Sequence, residues 1–234
     1  MEKPIAVVTG ANRGIGMEIC RQLAHKDVTV ILTARDEVKG EAATSILAKE
    51  NCDVQFYQLD ITCADQIQKL IDYVQSKFQR LDILVNNAGV YLDQELSPLS
   101  INADTIRQSI ETDVCGTFSM SKAVIPLMKK NNYGRIVNLS STLSFSVNMN
   151  DGVGLSYKIC KAAINVMTAV LSDAVKDYNI LINAAAPGWV RTDMGGEQAP
   201  FSLKEGAETP VWLATLPDNS PSGGLFFNRE RLLW

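Results

Sequence analysis

The sequence predicts an α/β fold, a single doubly wound parallel sheet flanked by helices, and three observations lead to it. Short apolar runs alternate with longer helical stretches along the chain. The runs are apolar on both faces, as strands covered by helices on either side must be. Residues with recognisable chemistry gather just beyond the C-terminal ends of those runs, on the rim where sheets of this kind bind ligands.

Taken in order, residues 5–9 form the first expected strand, broken at once by Gly10 and so too short for the apolar core of a signal peptide. A helix is expected at 14–24. His25 sits near its end, where a partial positive charge suits the helix dipole. Strands at 28–33, 54–59 and 83–86 are separated by helices at 38–50 and 64–78. A long helix at 105–129 leads to a strand at 135–139, and a helix at 156–178 leads to a strand at 181–185. Residues 217–224 form a turn-rich loop, not a linker, and a last strand is expected at 224–228. Helices of this length between strands are crossover connections, which make the sheet parallel.

The 234 residues show no break in composition, so residues 1–234 are expected to form one domain. Apolar residues make up 46% and charged residues 21%, which argues against disorder. The net charge of −4 disfavours a nucleic-acid or anionic-membrane surface, and no run approaches a membrane span. Cys20, Cys52, Cys63, Cys115 and Cys160 are odd in number and never form a C-x-x-C pair, which suggests neither disulfides nor zinc and fits a cytoplasmic protein. With His25 the only histidine, a Ser-His-Asp hydrolase or a histidine-based metal site has little to work with.

Two motifs define the expected chemistry. The run Thr9-Gly10-Ala11-Asn12-Arg13-Gly14-Ile15-Gly16 follows an apolar strand and opens a helix, an arrangement that lets a dinucleotide pyrophosphate approach a helix N-terminus. Tyr157 and Lys161 are four residues apart on an expected helix, so their side chains share one face. An ammonium there can lower the pKa of a phenol that ordinarily ionises near ~10, making it a proton donor for a carbonyl. Further residues stand at successive strand ends: Arg35, Asp60, the run Asn86-Asn87-Ala88-Gly89, Ser140-Ser141, and Pro187-Gly188.

These motifs, in this order and over essentially the full length, resemble the short-chain dehydrogenase/reductase family, which implies a Rossmann-type sheet. Within it the chain is similar to NADPH-dependent carbonyl reductases, through Leu32 to Asp36, Trp189 to Met194, and Glu205 to Val211. The resemblance implies that Asn12, Gly14, Ile15 and Gly16 cradle the phosphates, Asp60 and Ile61 hold the adenine, and Asn87, Ala88 and Gly89 line the adenosine ribose. Gly10, Leu59, Pro187, Gly188, Trp189, Val190 and Thr192 complete the implied dinucleotide site. Ala34 occupies the place of the acid that would bind a free ribose 2′-hydroxyl, and Arg35 follows it. Arg35 and Arg13 can therefore converge on a 2′-phosphate, which points to NADP(H). Asp36 stands against this, since an inward carboxylate would favour NADH.

The implied catalytic group is Ser141, Tyr157, Lys161 and Asp113. Tyr157 protonates the substrate oxygen, Ser141 hydrogen-bonds it, and Lys161 binds the nicotinamide ribose, itself contributing with Tyr157 to the cofactor site. Ser140 is an adjacent alternative to Ser141. Asp113 is a departure, because the family carries Asn there and uses its backbone carbonyl to hold a relay water. A carboxylate near Lys161 would strengthen the ammonium. A second departure is the short segment 142–156, where monomeric animal carbonyl reductases carry a long insertion; without it a homodimer or homotetramer is expected. Tyr91, Leu92, Leu143, Phe145, Val147, Met149, Trp189, Met194 and Phe201 are expected to make an apolar pocket for a small carbonyl substrate, and 195–204 a mobile partial lid. The expected activity is NADPH-dependent reduction of ketones or aldehydes. Alcohol oxidation by the same residues, or a regulatory protein that only binds the cofactor, are the alternatives.

Overall fold

The computed structural model describes residues 3–94, 96–144 and 152–233. Its sheet has the strand order β3-β2-β1-β4-β5-β6-β7-β8. The strands are β1 (Ile5–Val8), β2 (Thr29–Ala34), β3 (Val54–Gln58), β4 (Ile83–Asn86), β5 (Gly134–Leu139), β6 (Ile180–Ala185), β7 (Leu225–Phe227) and β8 (Glu230–Leu232). The first seven run parallel, and β8 folds back antiparallel on β7. Strand order reverses between β1 and β4, so the loops after these two strands diverge and leave a crevice at the rim.

Helices α1 (Gly14–Ala24), α2 (Glu37–Lys49) and α7 (Leu203–Ala214) cover one face of the sheet, while α3 (Ala64–Phe78), α5 (Thr117–Asn131) and α6 (Leu155–Asp173) cover the other. The pleat divides each strand between two cores. Val8, Leu32 and Val137 pack with Ile19, Leu23, Leu47 and Val211, whereas Val7, Ile31 and Ile136 pack with Leu70, Val74, Val124 and Met128. Burial on both faces is the physical reason for the unbroken apolar runs.

Three elements differ from expectation. The helix expected at 105–129 is α4 (Ala103–Ser109), a π-helical segment (Ile110–Gly116) and α5. Apolar periodicity does not distinguish a widened turn from a regular one; this one carries the buried Asp113 and lies against Ile61, whose side chain occupies the space beside Gly116. Helix α7 was not anticipated, although Ser202 and Glu205 form a capping box that marks its start. The hairpin to β8 turns through Asn228 and Arg229, with φ of 49° and 65°. Two left-handed residues suit a tight hairpin, but arginine carries no turn signal.

Arg135, fully buried on β5, is structural. It donates to the carbonyls of Leu216, Gly134 and Asn179 and to Asp218, pinning the loop after α7 beneath the sheet at the end opposite the rim.

Candidate active site

The glycine loop is held by the end of β4. Thr9 Oγ1 accepts the N–H groups of Asn87 and Ala88, each at 3.0 Å, and Asn87 Nδ2 donates to the carbonyls of Thr9 (2.8 Å) and Gly10 (3.0 Å). Gly10 has φ +60°, and a Cβ there would lie 2.8 Å from Ala88 Cα. Gly16 lets α1 approach Asn87, where a Cβ would lie 2.4 Å from its amide nitrogen. Gly14, at φ +58°, faces Thr192. The first turn of α1 has no acidic residue and its N-cap, Arg13, makes no side-chain cap, so its backbone N–H groups remain available to an anion. Ile15 packs on the core behind the loop.

The end of β2 presents Arg35, exposed and without an ion-pair partner among the described residues. Asp36 does not compete for that space. Its carboxylate caps α2 by accepting the Lys39 N–H at 3.0 Å and lies 3.5 Å from Lys39 Nζ; that backbone hydrogen bond, with the lysine charge, holds its pKa below the usual range. Arg13 pairs with Asp193 on the loop after β6, bridging the two sides of the crevice at its exposed mouth. At the end of β3, Leu59 and Ile61 are buried, and Asp60 Oδ1 accepts from Thr62 N (2.9 Å) and Thr62 Oγ1 (2.7 Å) in a local turn.

The third part of the rim is built by β5 and α6. Lys161 is buried, donates from Nζ to the Leu139 carbonyl at 3.2 Å, and stands 5.3 Å from the centre of the Tyr157 ring. Asp113 Oδ2 lies 3.1 Å from the same Nζ as an ionic contact without hydrogen-bond alignment, and its Oδ1 accepts the Val90 N–H at 2.8 Å. Gly89 leaves room for this carboxylate, since a Cβ there would lie 3.1 Å from Oδ2. Burial pulls the Lys161 pKa down, but the charges of Asp113 and Tyr157 outweigh it, and the net direction is up.

Ser140 and Ser141 have different environments. Ser140 is buried, with its hydroxyl against Asn165 Oδ1 (2.7 Å) and the Lys161 carbonyl (3.2 Å). Ser141 is partly exposed and its Oγ accepts the Leu143 N–H at 3.1 Å. Ser144, held by Asn165 Nδ2 at 2.8 Å, donates to the Ser141 carbonyl. Sequence reading missed Asn165 and Ser144, whose role of fixing the strand end on the helix depends on contacts more than twenty residues apart. It also missed Asp93, buried, whose carboxyl accepts the Ser156 N–H and hydroxyl at 2.7 Å each; nothing in the local sequence marks it.

A cleft of about 520 Å³ opens beside this centre, lined by Tyr91, Leu92, Gln94, Leu96, Asp193, Met194 and Gly196. Of the expected pocket residues, Tyr91, Leu92 and Met194 are there; Leu143 is not among the lining, and Phe145, Val147 and Met149 lie outside the described residues. Phe201 instead packs edge-on against Phe227 beneath Gly188, and Trp189 is largely exposed with its indole N–H on the Gly195 carbonyl at 2.7 Å. Pro187 and Gly188 continue from the end of β6, and Val190 is buried against Gly206 of α7. The segment expected as a mobile lid is pinned to the loop before it, by the Val190–Phe201 bridge and by Arg191 on the carbonyls of Ala199 and Pro200.

Comparison with known proteins identifies the family. The family model described as short chain dehydrogenase matches residues 4–202. The chain is 34% identical to carbonyl reductase (NADPH) 1 of Bos taurus, covering 98% of each chain, and 33% identical to (+)-neomenthol dehydrogenase of Arabidopsis thaliana, covering 97% of this chain and 96% of the relative. Among solved structures, salutaridine reductase from Papaver somniferum superposes with a TM-score of 0.85 at 28% identity, over 97% of this chain and all of the other. Menthone neomenthol reductase from Mentha piperita gives 0.82 at 31%, over 98% of this chain and all of the other. With its glycine loop, Arg35 at the end of β2, and its Tyr157–Lys161 helix on one rim, the chain belongs to the short-chain dehydrogenase/reductase family, as an NADP-dependent oxidoreductase resembling the carbonyl reductases.

Proposed function

We propose that this protein reduces ketones and aldehydes to alcohols, with Tyr157 as proton donor, Ser141 as hydrogen-bond donor to the substrate oxygen, and Lys161 as the cation that supports Tyr157. The observation that carries this reading is the buried ammonium of Lys161, held by Leu139 and Asp113 under the Tyr157 ring, beside a cleft that Tyr91, Leu92 and Met194 help to line. The residues present fit NADP(H): the uncapped α1 N-terminus suits the pyrophosphate, and Arg35, unpaired among the described residues, together with Arg13 once it leaves Asp193, suits the 2′-phosphate. When bound, the nicotinamide supplies a hydride to the carbonyl carbon. The chain contributes the rest: the phenol passes its proton to the carbonyl oxygen as the alcohol forms, and solvent later restores it. A Lys161 that gives one hydrogen bond to the Leu139 carbonyl, with the Asp113 charge beside it, keeps its remaining donor capacity for the ribose and its charge beside the phenol.

We also propose that the protein is a homodimer or homotetramer. Ile159, Val166 and Val170 form an exposed apolar stripe on α6, and Phe118 is exposed on α5. The alignment with the bovine relative runs to 276 positions against 234 residues here, so this chain lacks residues that the relative has. A second copy burying the stripe would account for it. Light scattering should give a multiple of 25.6 kDa for the wild type and a smaller particle for Val166→Glu; a monomeric wild type would remove this proposal.

Three measurements test the chemistry. Tyr157→Phe should bind NADPH normally, by fluorescence titration, and lose about 10²–10⁴-fold in kcat; near-normal ketone reduction would exclude Tyr157 as the acid. Arg35→Ala should narrow the preference for NADPH over NADH by roughly 1.5–3 kcal/mol, the range of a hydrogen bond to a charged group. Equal kcat/KM of the wild type for both cofactors would defeat that assignment. For Asp113→Asn the sign follows from the Lys161 shift. The carboxylate raises the lysine pKa, so the ammonium survives to higher pH in the wild type, and its removal moves the basic limb of the kcat/KM profile to lower pH. The maximum should stay within a few fold, because the backbone carbonyl of residue 113 is unchanged. A collapse of activity with cofactor affinity intact would assign the carboxylate a direct part in proton transfer.

A further inference from the structure

The segment after β4 is fixed to the catalytic helix at several points. Val90 donates to Asp113, and the Asp93 carboxyl binds Ser156 one residue before Tyr157. The Ser156 hydroxyl is joined in turn to Ser109 Oγ at 3.1 Å, which ties the end of α4 into the same cluster. Gln94 Nε2 donates to the Met194 carbonyl at 2.8 Å and links the segment to the far side of the cleft.

Between these anchors, the Tyr91 ring stacks on the ring of Tyr157, with centroids 4.3 Å apart and planes inclined by 21°. Its hydroxyl fills the space beside Gly154, where a Cβ would lie 2.4 Å away; Gly154 has φ +66°, so the position suits glycine on both counts. Tyr91 also lines the cleft, where Leu92, Leu96 and Met194 supply apolar surface.

We propose that Tyr91 is a specificity-determining residue, an aromatic wall fixed against the proton donor that selects carbonyl compounds bearing an aryl or other planar π-faced substituent. This rests on the carbonyl-reductase reading above. A carbonyl oxygen that takes its proton from Tyr157 has its substituents beside whatever packs against Tyr157, and among the described residues its aromatic neighbour is Tyr91. Aromatic pairs gain stabilisation beyond the area they bury, which a saturated ring of the same size does not recover. The thioether of Met194 adds a second surface favourable to an aromatic ring. Asp93, two residues further on, anchors the segment that carries Tyr91 to Ser156 and so acts as a positioning residue.

Acetophenone and cyclohexyl methyl ketone differ in the aromaticity of one six-membered ring, so they isolate this term. The ratio of their kcat/KM values should fall about three- to ten-fold in Tyr91→Leu and be kept in Tyr91→Phe. Asp93→Ala, which keeps the ring and removes its anchor, should move the ratio in the same direction as Tyr91→Leu. The ratio of the dissociation constants of the two ketones, measured by calorimetry in the presence of NADP⁺, should change in parallel. A purely structural role for Tyr91 would lower both substrates equally and leave the ratio unchanged, which would overturn the proposal. If no variant or wild type reduces either ketone, the carbonyl-reductase reading fails; the calorimetric ratio still decides the aromatic wall, and an unchanged value there rejects it.

Discussion

A lysine ammonium placed inside a protein must be given a counter-charge or lose its proton, and the rim of this sheet is arranged around that requirement. Lys161 is almost wholly buried, with the Leu139 carbonyl on one side and the Asp113 carboxylate on another. To bring Asp113 there the long helix opens into a π turn, and to admit its carboxylate the residue at 89 carries no side chain. The other oxygen of Asp113 holds the Val90 N–H, so one side chain fixes both the lysine and the turn after β4. A buried pair of this kind contributes little net stability, because desolvation offsets much of the attraction, but it is costly to leave half-made. Its contribution is to position groups at the site.

Around that pair the protein uses buried polar contacts where an apolar core would pack without a fixed register. Asn86 donates to Ser121 and Asn138, and Asn138 donates to Thr168, a chain that joins α5, β4, β5 and α6 across one face of the sheet. Ser140, Ser144 and Asn165 fix the next level up, immediately beneath Ser141. Such contacts are satisfied in only one relative placement of strand and helix, whereas methyl groups tolerate small slips. The residues proposed for catalysis therefore stand on a scaffold whose alignment is set by hydrogen bonds and whose cohesion comes from the two apolar cores.

The cofactor end follows a different rule, that of leaving groups uncommitted. The first turn of α1 is uncapped, Arg35 is unpaired among the described residues, and the adjacent Asp36 is engaged by its own helix. An anion can satisfy all of these without displacing an internal bond. Arg13 alone has a partner, Asp193, and both are exposed, where solvent makes such a pair weak and exchangeable.

The sequence by itself determined the alternation of strands and helices, the position of the glycine loop, the rim that gathers the motifs, and the pairing of Tyr157 with Lys161. All of these follow from local periodicity and from spacing along a single element, which a linear reading can measure. It also singled out Asp113, through the resemblance to a family that carries Asn at that place. Tertiary structure alone decided that the carboxylate reaches Lys161, that Asp36 turns into its own helix, that Ser140 is buried while Ser141 is partly exposed, and that Tyr91 lies on Tyr157. Each of these depends on the direction of a side chain relative to an element far away in sequence. That direction is set by packing and by which buried polar groups find partners, and neither is a property of any local stretch of chain.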